Sequence, residues 1–112
     1  MNTIKKNGEF QDVYNNGKKS YGKYSLIFFK KLDENFKNSY GFVASKKVGN
    51  AVTRNRIKRL FREYARLNEN KIKTSYKIIF VAKKIVEKDI KYQEVEKDLD
   101  RVFKIAKLVN KE

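Results

Sequence analysis

The chain has 112 residues, of which 28 are Lys or Arg and 13 are Asp or Glu, so its formal net charge at pH 7 is +15. A surplus of this size attracts polyanions, which makes nucleic acid the leading candidate for a partner and an anionic membrane surface the second. The sequence contains no Cys and no His, which excludes disulfides, thiol chemistry, Cys/His metal sites and a histidine base, and with them most common enzyme active sites.

The first predicted element is a short amphipathic helix in the segment GEFQDVYNNG, residues 8–17. Phe10, Val13 and Tyr14 recur at the i, i+3 and i+4 spacing of one helix face. Gly8 and Gly17 bound the segment, and Gly17 is the predicted C-terminal stop. Any helix that packs on a sheet uses such residues, so the spacing alone indicates core packing, with Val13 the most typical core position.

Two aromatic and β-branched runs follow, YSLIFF at 24–29 and YGFVAS at 40–45, separated by the polar segment KKLDENFKNS. Runs of this composition are typical of strands. Their order along the chain predicts that they pair as an antiparallel hairpin.

After the second strand comes the segment VGNAVTRNRIKRLFREYARL at 48–67, which holds five of the six arginines. On a helical wheel its apolar residues fall within a sector of about 100°, and we expect this stripe to pack on the sheet. Thr53 is the predicted N-cap, and Arg59 and Glu63 are predicted to pair at the i, i+4 spacing. The apolar stripe expected to pack on the sheet consists of Ile57, Leu60, Phe61 and Tyr64, with Leu67 on its edge.

The basic residues of this helix share the opposite arc, which faces solvent. Glu63 is the only acid between Lys46 and Leu67, so the charges are not mixed as they are on an ordinary solvated helix. Like charges at this density destabilise a helix unless a polyanion meets them, whereas the planar guanidinium group binds phosphate in two places and stacks on bases. We therefore favour nucleic-acid binding over a plain charged surface. The solvent-facing arc of this helix consists of Asn55, Lys58, Arg59, Arg62 and Arg66, with Arg54 and Arg56 at its borders.

The last two predicted elements are a strand and a helix. The run YKIIFVA at 76–82 is nearly continuous in apolar residues, which is typical of an inner strand covered on both faces. From about Asp89 onward an apolar stripe with a charged face opposite predicts a C-terminal helix. Between Glu87 and Arg101 six acidic residues stand against four basic ones, so the positive charge concentrates on another side of the molecule. The apolar stripe of the predicted C-terminal helix consists of Tyr92, Val95, Leu99, Val102, Phe103, Ala106 and Val109.

The segment GFVASKKVGNAVTRNRIKRLFRE, with the tripeptide RNR at 54–56 as its core, resembles the signature of the bacterial ribonuclease P protein subunit. The similarity extends in the same order and spacing to EFQDVYNNG before it and YKIIFVAKK after it. It implies an α+β fold, a two-layer α/β sandwich in the order α-β-β-β-α-β-α, similar to the second domain of ribosomal protein S5. It also implies a left-handed βαβ crossover, against the usual right-handed rule. The residues themselves indicate only three strands; the fourth could come from residues 18–31 broken at Gly22, or from a continuation near Val48.

The resemblance also implies where the partners bind. Catalysis belongs to the partner RNA, whose bound Mg²⁺ ions activate water to cut the 5′ leader from precursor tRNA. The protein is then expected to bind no cofactor through its own side chains and to supply no catalytic group; a chain without His or Cys would otherwise have to build a nuclease from Asp and Glu alone. The residues implied to face the catalytic RNA are Arg54, Asn55, Arg56, Lys58, Arg59 and Arg62. The residues implied to border a cleft for the leader are Phe10, Tyr14, Ser45, Lys46, Lys47, Asn50, Lys83 and Lys84.

Two other interpretations stay open at this point. A structural or ribosome-associated RNA-binding protein fits the charge and the expected fold equally well. A DNA-binding regulator would place the arginine helix in a major groove, but no second short helix and turn precedes that helix.

The organisation of the chain indicates one domain, residues 1–112, without a linker or an internal repeat. No run approaches the roughly 18 apolar residues of a membrane span. The first 15 residues contain no apolar signal-peptide core, so we expect a cytoplasmic protein with no membrane contact. The expected partners are ribonuclease P RNA and precursor tRNA, and no protein partner is evident from the sequence.

Overall fold

The computed structural model describes residues 1–33, 35–84 and 86–110. Within these ranges the elements are β1 (Asn2–Thr3), α1 (Asn7–Asn16), β2 (Lys18–Tyr21), β3 (Ser25–Lys31), β4 (Ser39–Val43), a 3₁₀ turn (Lys46–Val48), α2 (Ala51–Asn68), β5 (Tyr76–Ala82) and α3 (Tyr92–Ile105). The strands form one mixed sheet in the order β1-β4-β5-β3-β2. This architecture confirms the predicted α+β class. The first helix, α1, ends at Gly17 as predicted, but it begins at Asn7, so Gly8 lies inside the helix and does not bound it.

The apolar run of β5 forms the centre of the sheet, as its composition predicts. Ile78, Ile79 and Phe80 are fully buried. The strand pairs along one edge with β3, antiparallel, and along the other with β4, parallel. The predicted hairpin between β3 and β4 is therefore wrong: the two strands run in opposite directions, but β5 lies between them. A strand that is apolar on both faces suits this position, because helices cover both of its faces and neighbours hydrogen-bond to both of its edges.

The fourth strand implied by the resemblance comes from the first of the two alternatives. Residues 18–31 form β2 and β3, which pair antiparallel with a break at Gly22. A Cβ atom at Gly22 would lie 2.6 Å from Val102 Cγ2 and 2.7 Å from Asp98 Oδ2, so the close packing of this turn on α3 requires glycine. The two-residue strand β1, parallel to β4, had no signal in the sequence. The connection β4-α2-β5 joins parallel neighbours and is the crossover whose left-handed sense stays a prediction.

Side chains of the central strand alternate between the two faces of the sheet. On one face Ile78 and Phe80 pack in the core that α2 and α3 cover, and on the other Ile79 packs with Val13 of α1. Each large apolar side chain that is fully buried stabilises the fold by about 1.5–3 kcal/mol. The two long helices thus form the predicted sandwich with the sheet, and α1 adds a partial layer on the opposite face. The helical side chains with the least exposure on the α2–α3 face are Ile57, Phe61, Tyr64, Ala65, Val95, Leu99, Val102 and Phe103.

A buried carboxylate fixes the β2–β3 turn against α3. The side chain of Asp98 is 3% exposed and accepts hydrogen bonds from the backbone N–H groups of Lys23, at 2.7 Å, and Tyr24, at 2.9 Å. The Ser25 hydroxyl donates to the same carboxylate at 3.1 Å, and the Arg101 guanidinium donates at 2.9 Å. These four donors satisfy a charge that would otherwise be costly to bury, and they hold the end of β2 in one position.

The last helix is shorter than its predicted stripe. It begins where the Glu94 carboxylate accepts the backbone N–H of Lys91, at 3.0 Å, which is later than the predicted start near residue 89. Beyond its end Lys107 adopts a left-handed φ of 58°, a conformation that terminates helices. The last two residues of the stripe therefore lie outside the helix, and Val109 instead forms a β-bridge with Ile72.

Candidate nucleic-acid interface

The arginine helix α2 begins earlier than predicted. Its N-cap is Asn50, whose Oδ1 atom accepts the backbone N–H of Thr53 at 3.0 Å. Thr53 itself lies in the first turn and is buried, so the predicted cap at Thr53 is wrong. The sequence signal was ambiguous because Asn and Thr both favour caps, and the observed choice leaves the whole RNR tripeptide inside regular helix.

Three basic residues of α2 form a line along the helix at four-residue intervals, Arg54, Lys58 and Arg62. The Nη1 group of Arg54 donates to the carbonyl oxygen of Gly49 at 3.3 Å. The guanidinium of Arg62 lies 5.2 Å from the ring centre of Phe42 on β4, which places the line beside that strand. Arg54 and Lys58 are half-buried and Arg62 is exposed, while the predicted residues Asn55 and Arg59 are exposed on the neighbouring arc.

Arg56 stands apart from this line. Its Nη2 group donates to the carbonyl oxygen of Ile90 at 2.6 Å, which ties α2 to the segment that precedes α3. Its Nε atom is buried and finds no hydrogen-bond partner among the described residues. The arrangement therefore separates the two arginines of the RNR tripeptide: Arg54 faces the β4 side of the helix and Arg56 the α3 side.

The single acid of α2 neutralises the far end of the helix. Glu63 forms an ion pair with Arg66, with 3.2 Å between Nε and Oε2, and not with Arg59 as predicted. The guanidinium of Arg66 holds the pKa of Glu63 below its usual range. The i, i+3 partner is the better placed one here because two of its nitrogens reach both carboxylate oxygens. The positive charge thus concentrates in the first three turns of α2.

On the opposite face of the sheet, α1 presents two partly exposed aromatic rings. Val13 is fully buried and packs on Ile79, as expected of a core residue. Phe10 and Tyr14 are half-buried beside it, and the ring of Tyr14 meets that of Phe28 edge-on at 4.7 Å between centroids. Burial raises the pKa of the Tyr14 phenol, so its hydroxyl stays protonated at neutral pH. Both rings contribute to packing and keep surface for a ligand, so the two interpretations of this helix are compatible.

The acids of α1 lie on the other side of the helix from these rings. Asp12 pairs with Lys30 at 2.7 Å, and Glu9 approaches Lys77 at 3.8 Å. On a helical wheel both acids fall on one side of Val13, and the two aromatic residues fall on the other. The negative charges of α1 are therefore directed away from the surface that the rings border.

Next to α1, one row of residues crosses the sheet, and none of the described helices lies over it. Tyr21, Leu26, Val81 and Val43 are in register across β2, β3, β5 and β4. Leu26, Val81 and Val43 are half-buried, and Tyr21 is 63% exposed. We call these four residues the open row. The sequence patterns did not identify it, because strand register was needed to place the four residues side by side.

Lysines gather where the open row meets the ends of β4 and β5. Parallel neighbours end at the same edge of a sheet, so the residues that follow β4 and β5 come together there. They surround an open cavity of about 540 Å³. Of the residues implied for the leader, Ser45, Lys47, Lys83 and Lys84 line this cavity, with Lys23, Val48 and Ala82. Lys46 is exposed in the same 3₁₀ turn outside the lining, and Asn50 serves as the cap of α2.

These features together form a groove with the open row as its floor, the α1 rings along one side and the lysine cluster along the other. Aromatic stacking surfaces beside lysines are the combination by which proteins hold single-stranded nucleic acid. The fold and the groove define a small, strongly basic α+β protein whose surface is suited to RNA or DNA.

Comparisons with known proteins identify the family. Residues 1–107 match the family model of ribonuclease P. The chain is 60% identical over 112 residues to the ribonuclease P protein component of Fusobacterium nucleatum, covering 97% of this chain and 100% of that protein. It is 42% identical over 110 residues to the component of Alkaliphilus metalliredigens, covering 97% and 96%. The chain therefore belongs to the ribonuclease P protein family, as its resemblance implied, and is a protein component of an endoribonuclease that processes tRNA and has an RNA partner.

Solved structures agree with this assignment. The RNase P protein of Staphylococcus aureus superposes with a TM-score of 0.88 at 34% identity, covering 98% of this chain and 99% of that one. The RNase P protein of Thermotoga maritima, at 23% identity and a TM-score of 0.83, supports the fold alone and covers 94% of this chain and 97% of that one. Among the described helices, none is both long and apolar enough to cross a membrane.

Proposed function

We propose that this chain binds the catalytic RNA of ribonuclease P and the 5′ leader of precursor tRNA, and so assists removal of the leader to give the mature tRNA 5′ end. The observation that carries the proposal is the groove, in which Phe10 and Tyr14 lie across the open row from Lys47, Lys83 and Lys84. Bases stack on aromatic rings without regard to sequence, which suits a subunit that must accept many precursors.

The α2 surface binds the catalytic RNA in this proposal. Arg59 and Arg62 are exposed, and the acid next to them in the helix, Glu63, is paired with Arg66, so both guanidinium groups can meet phosphates in bidentate fashion. Arg54 and Lys58 extend that contact toward the helix N-terminus, where Asn55 adds a hydrogen-bonding group. Arg56 acts in part by holding α2 against the segment before α3.

The groove binds the leader, with its lysine side on the phosphates and its aromatic side on the bases. Stacking on an aromatic side chain contributes about 1–3 kcal/mol per base. Ser45, Lys46 and Asn50 stand at the junction between the groove and α2, so the leader and the catalytic RNA would be bound on adjoining surfaces.

The chemistry of cleavage belongs to the RNA in this proposal. Mg²⁺ ions bound by the RNA would activate the attacking water, and the protein would act on them only by placing the leader. The chain itself has no His or Cys to serve as a base, nucleophile or soft metal ligand. Cytoplasmic localisation accompanies this proposal, since precursor tRNA is its substrate.

The decisive experiment measures precursor tRNA cleavage by the cognate ribonuclease P RNA at low, near-cellular Mg²⁺, with and without the protein. We expect cleavage to require the protein and to fail with Arg59→Ala plus Arg62→Ala. A matched control, Lys97→Ala plus Lys104→Ala on α3, removes the same charge from exposed positions and should cleave normally.

The same assay tests the alternative of a structural or ribosome-associated RNA-binding protein. That function predicts unchanged cleavage together with tight binding of structured RNA and co-sedimentation with ribosomes. The salt dependence of binding adds a second criterion, because about six phosphate contacts give a log-log slope of about −4 to −5. A slope near −1 would contradict a charge-dominated interface.

A further inference from the structure

Tyr21 is exposed in a way that packing does not explain. It lies on the edge strand β2, with 63% of its surface accessible, while its neighbour Ser20 points to the other face and is buried. A tyrosine here contributes little to the core and leaves a large ring at the outer end of the open row. Such an exposed aromatic beside lysines offers a stacking surface to a ligand.

Lys83 is held beside this ring. Its ammonium group donates to the carbonyl oxygen of Gly22 at 2.6 Å and lies 5.9 Å from the centre of the Tyr21 ring. The turn that carries Gly22 is itself fixed by the Asp98 carboxylate, so the ring and the ammonium group have a defined relation. A cation on one face of the ring leaves the other face for a base and brings a positive charge near that nucleotide's phosphate.

The spacing of the row gives the reach of this site. From Val43 on β4 to Tyr21 on β2 there are three strand-to-strand steps, or about 14 Å. That distance corresponds to about four nucleotides at the rise of a stacked strand. A short leader would therefore end before Tyr21, and a long one would pass over it.

We infer that Tyr21, with Lys83 behind it, forms an additional stacking site at the outer end of the groove, which binds a nucleotide of a long leader and none of a short one. The inference rests on the proposed function and extends it to a length dependence. The occupant is single-stranded RNA and not an acidic protein segment, because the floor of the row is apolar and its exposed end is an aromatic ring, which suits bases.

The test compares precursor tRNAs with leaders of one and ten nucleotides, bound to the holoenzyme under non-cleaving conditions. Tyr21→Ala should weaken binding of the ten-nucleotide leader about fivefold or more, and leave binding of the one-nucleotide leader within about twofold. Tyr21→Phe keeps the ring and should bind like the wild type. Tyr21→Thr removes the ring but favours strand structure, so it separates loss of stacking from disturbance of β2.

Two results would overturn the inference: equal loss with both leaders, which indicates a general structural effect, or no loss with the long leader. A second arm measures binding of a labelled single-stranded RNA decamer to the protein alone. Should the holoenzyme assay show no protein dependence, the proposed function fails while this arm still decides on Tyr21. Weaker decamer binding by Tyr21→Ala and Tyr21→Thr would support the stacking site, and unchanged binding would exclude it.

Discussion

Replacing Asp98 by alanine tests the tie between the β2–β3 turn and α3. Two backbone N–H groups at 2.7 and 2.9 Å donate to a carboxylate whose side chain is only 3% exposed. Hydrogen bonds to a charged group contribute about 1.5–3 kcal/mol each. In the variant, water can hydrogen-bond to the N–H group of Lys23, which is exposed, and so offset part of the lost free energy. The hydrogen bond from the exposed Arg101 contributes little. We therefore expect Asp98→Ala to lower the free energy of unfolding by about 3 kcal/mol, the low end of the sum of the two backbone bonds.

The assay is urea denaturation followed by circular dichroism, together with thermal melting. A loss of 3 kcal/mol corresponds to a fall in Tm of roughly 12 °C for a domain of this size. Asp98→Asn keeps one acceptor oxygen and should lose about half as much. Asp89→Ala removes an exposed acid that precedes the same helix and should stay within about 0.5 kcal/mol of the wild type. A loss below about 1 kcal/mol for Asp98→Ala would refute the view that this carboxylate anchors the turn.

Three further predictions follow from the surfaces around the groove. In Gly41→Ala the new Cβ would lie 2.7 Å from the ring of Phe10, which packs on Gly41. We expect the free energy of unfolding in urea titrations to fall by about 1–3 kcal/mol. We also expect the variant to lose more affinity for precursor tRNA than for mature tRNA. Arg59→Ala plus Arg62→Ala should leave stability within about 0.5 kcal/mol of the wild type but make the log-log salt slope for RNA binding about 1.5 less steep; an unchanged slope would show that these arginines do not meet phosphates. The Lys30 ammonium holds the pKa of Asp12 below its ordinary 3.8, so their ion pair stabilises the fold above that value and is lost as the pH falls through the depressed pKa. The stability gap between wild type and Asp12→Asn should therefore be constant above about pH 5 and close below about pH 4, and a gap that persists at about pH 2 would contradict this.

Local periodicity predicted the elements of this fold well. The spacing of Phe10, Val13 and Tyr14 placed α1, and the nearly continuous apolar run of β5 identified an inner strand. Strand pairing was beyond such patterns, because β5 follows β3 and β4 in sequence and yet inserts between them. Nothing in the sequences of β3 and β4 indicates that β5 will lie between them.

The sequence indicated which residues to consider for the candidate site, and their binding roles stay predictions; how these residues are arranged was not readable from the sequence. The RNR tripeptide marked the arginine surface, whereas the contact from Arg56 to Ile90 required knowledge of how α2 meets the segment before α3. The structure uses Asn50 and not Thr53 as the cap, and Arg66 and not Arg59 as the partner of Glu63; in each case the local pattern allowed both residues. Tyr21 could be noticed only once register placed it in the open row.

The central position of β5 has a consequence for how the molecule is made. A ribosome synthesises β2, β3 and β4 before β5, so the nascent chain first carries two strands with unpaired edges where the last strand will insert. Unpaired strand edges are sites of association with other chains, and contacts between distant segments slow folding. The sheet can close only after residue 82 has left the ribosome, so most of the chain must stay unassembled until then. A fragment that ends before Tyr76 should remain unfolded, and the high positive charge of the chain would help to keep such intermediates apart in the meantime.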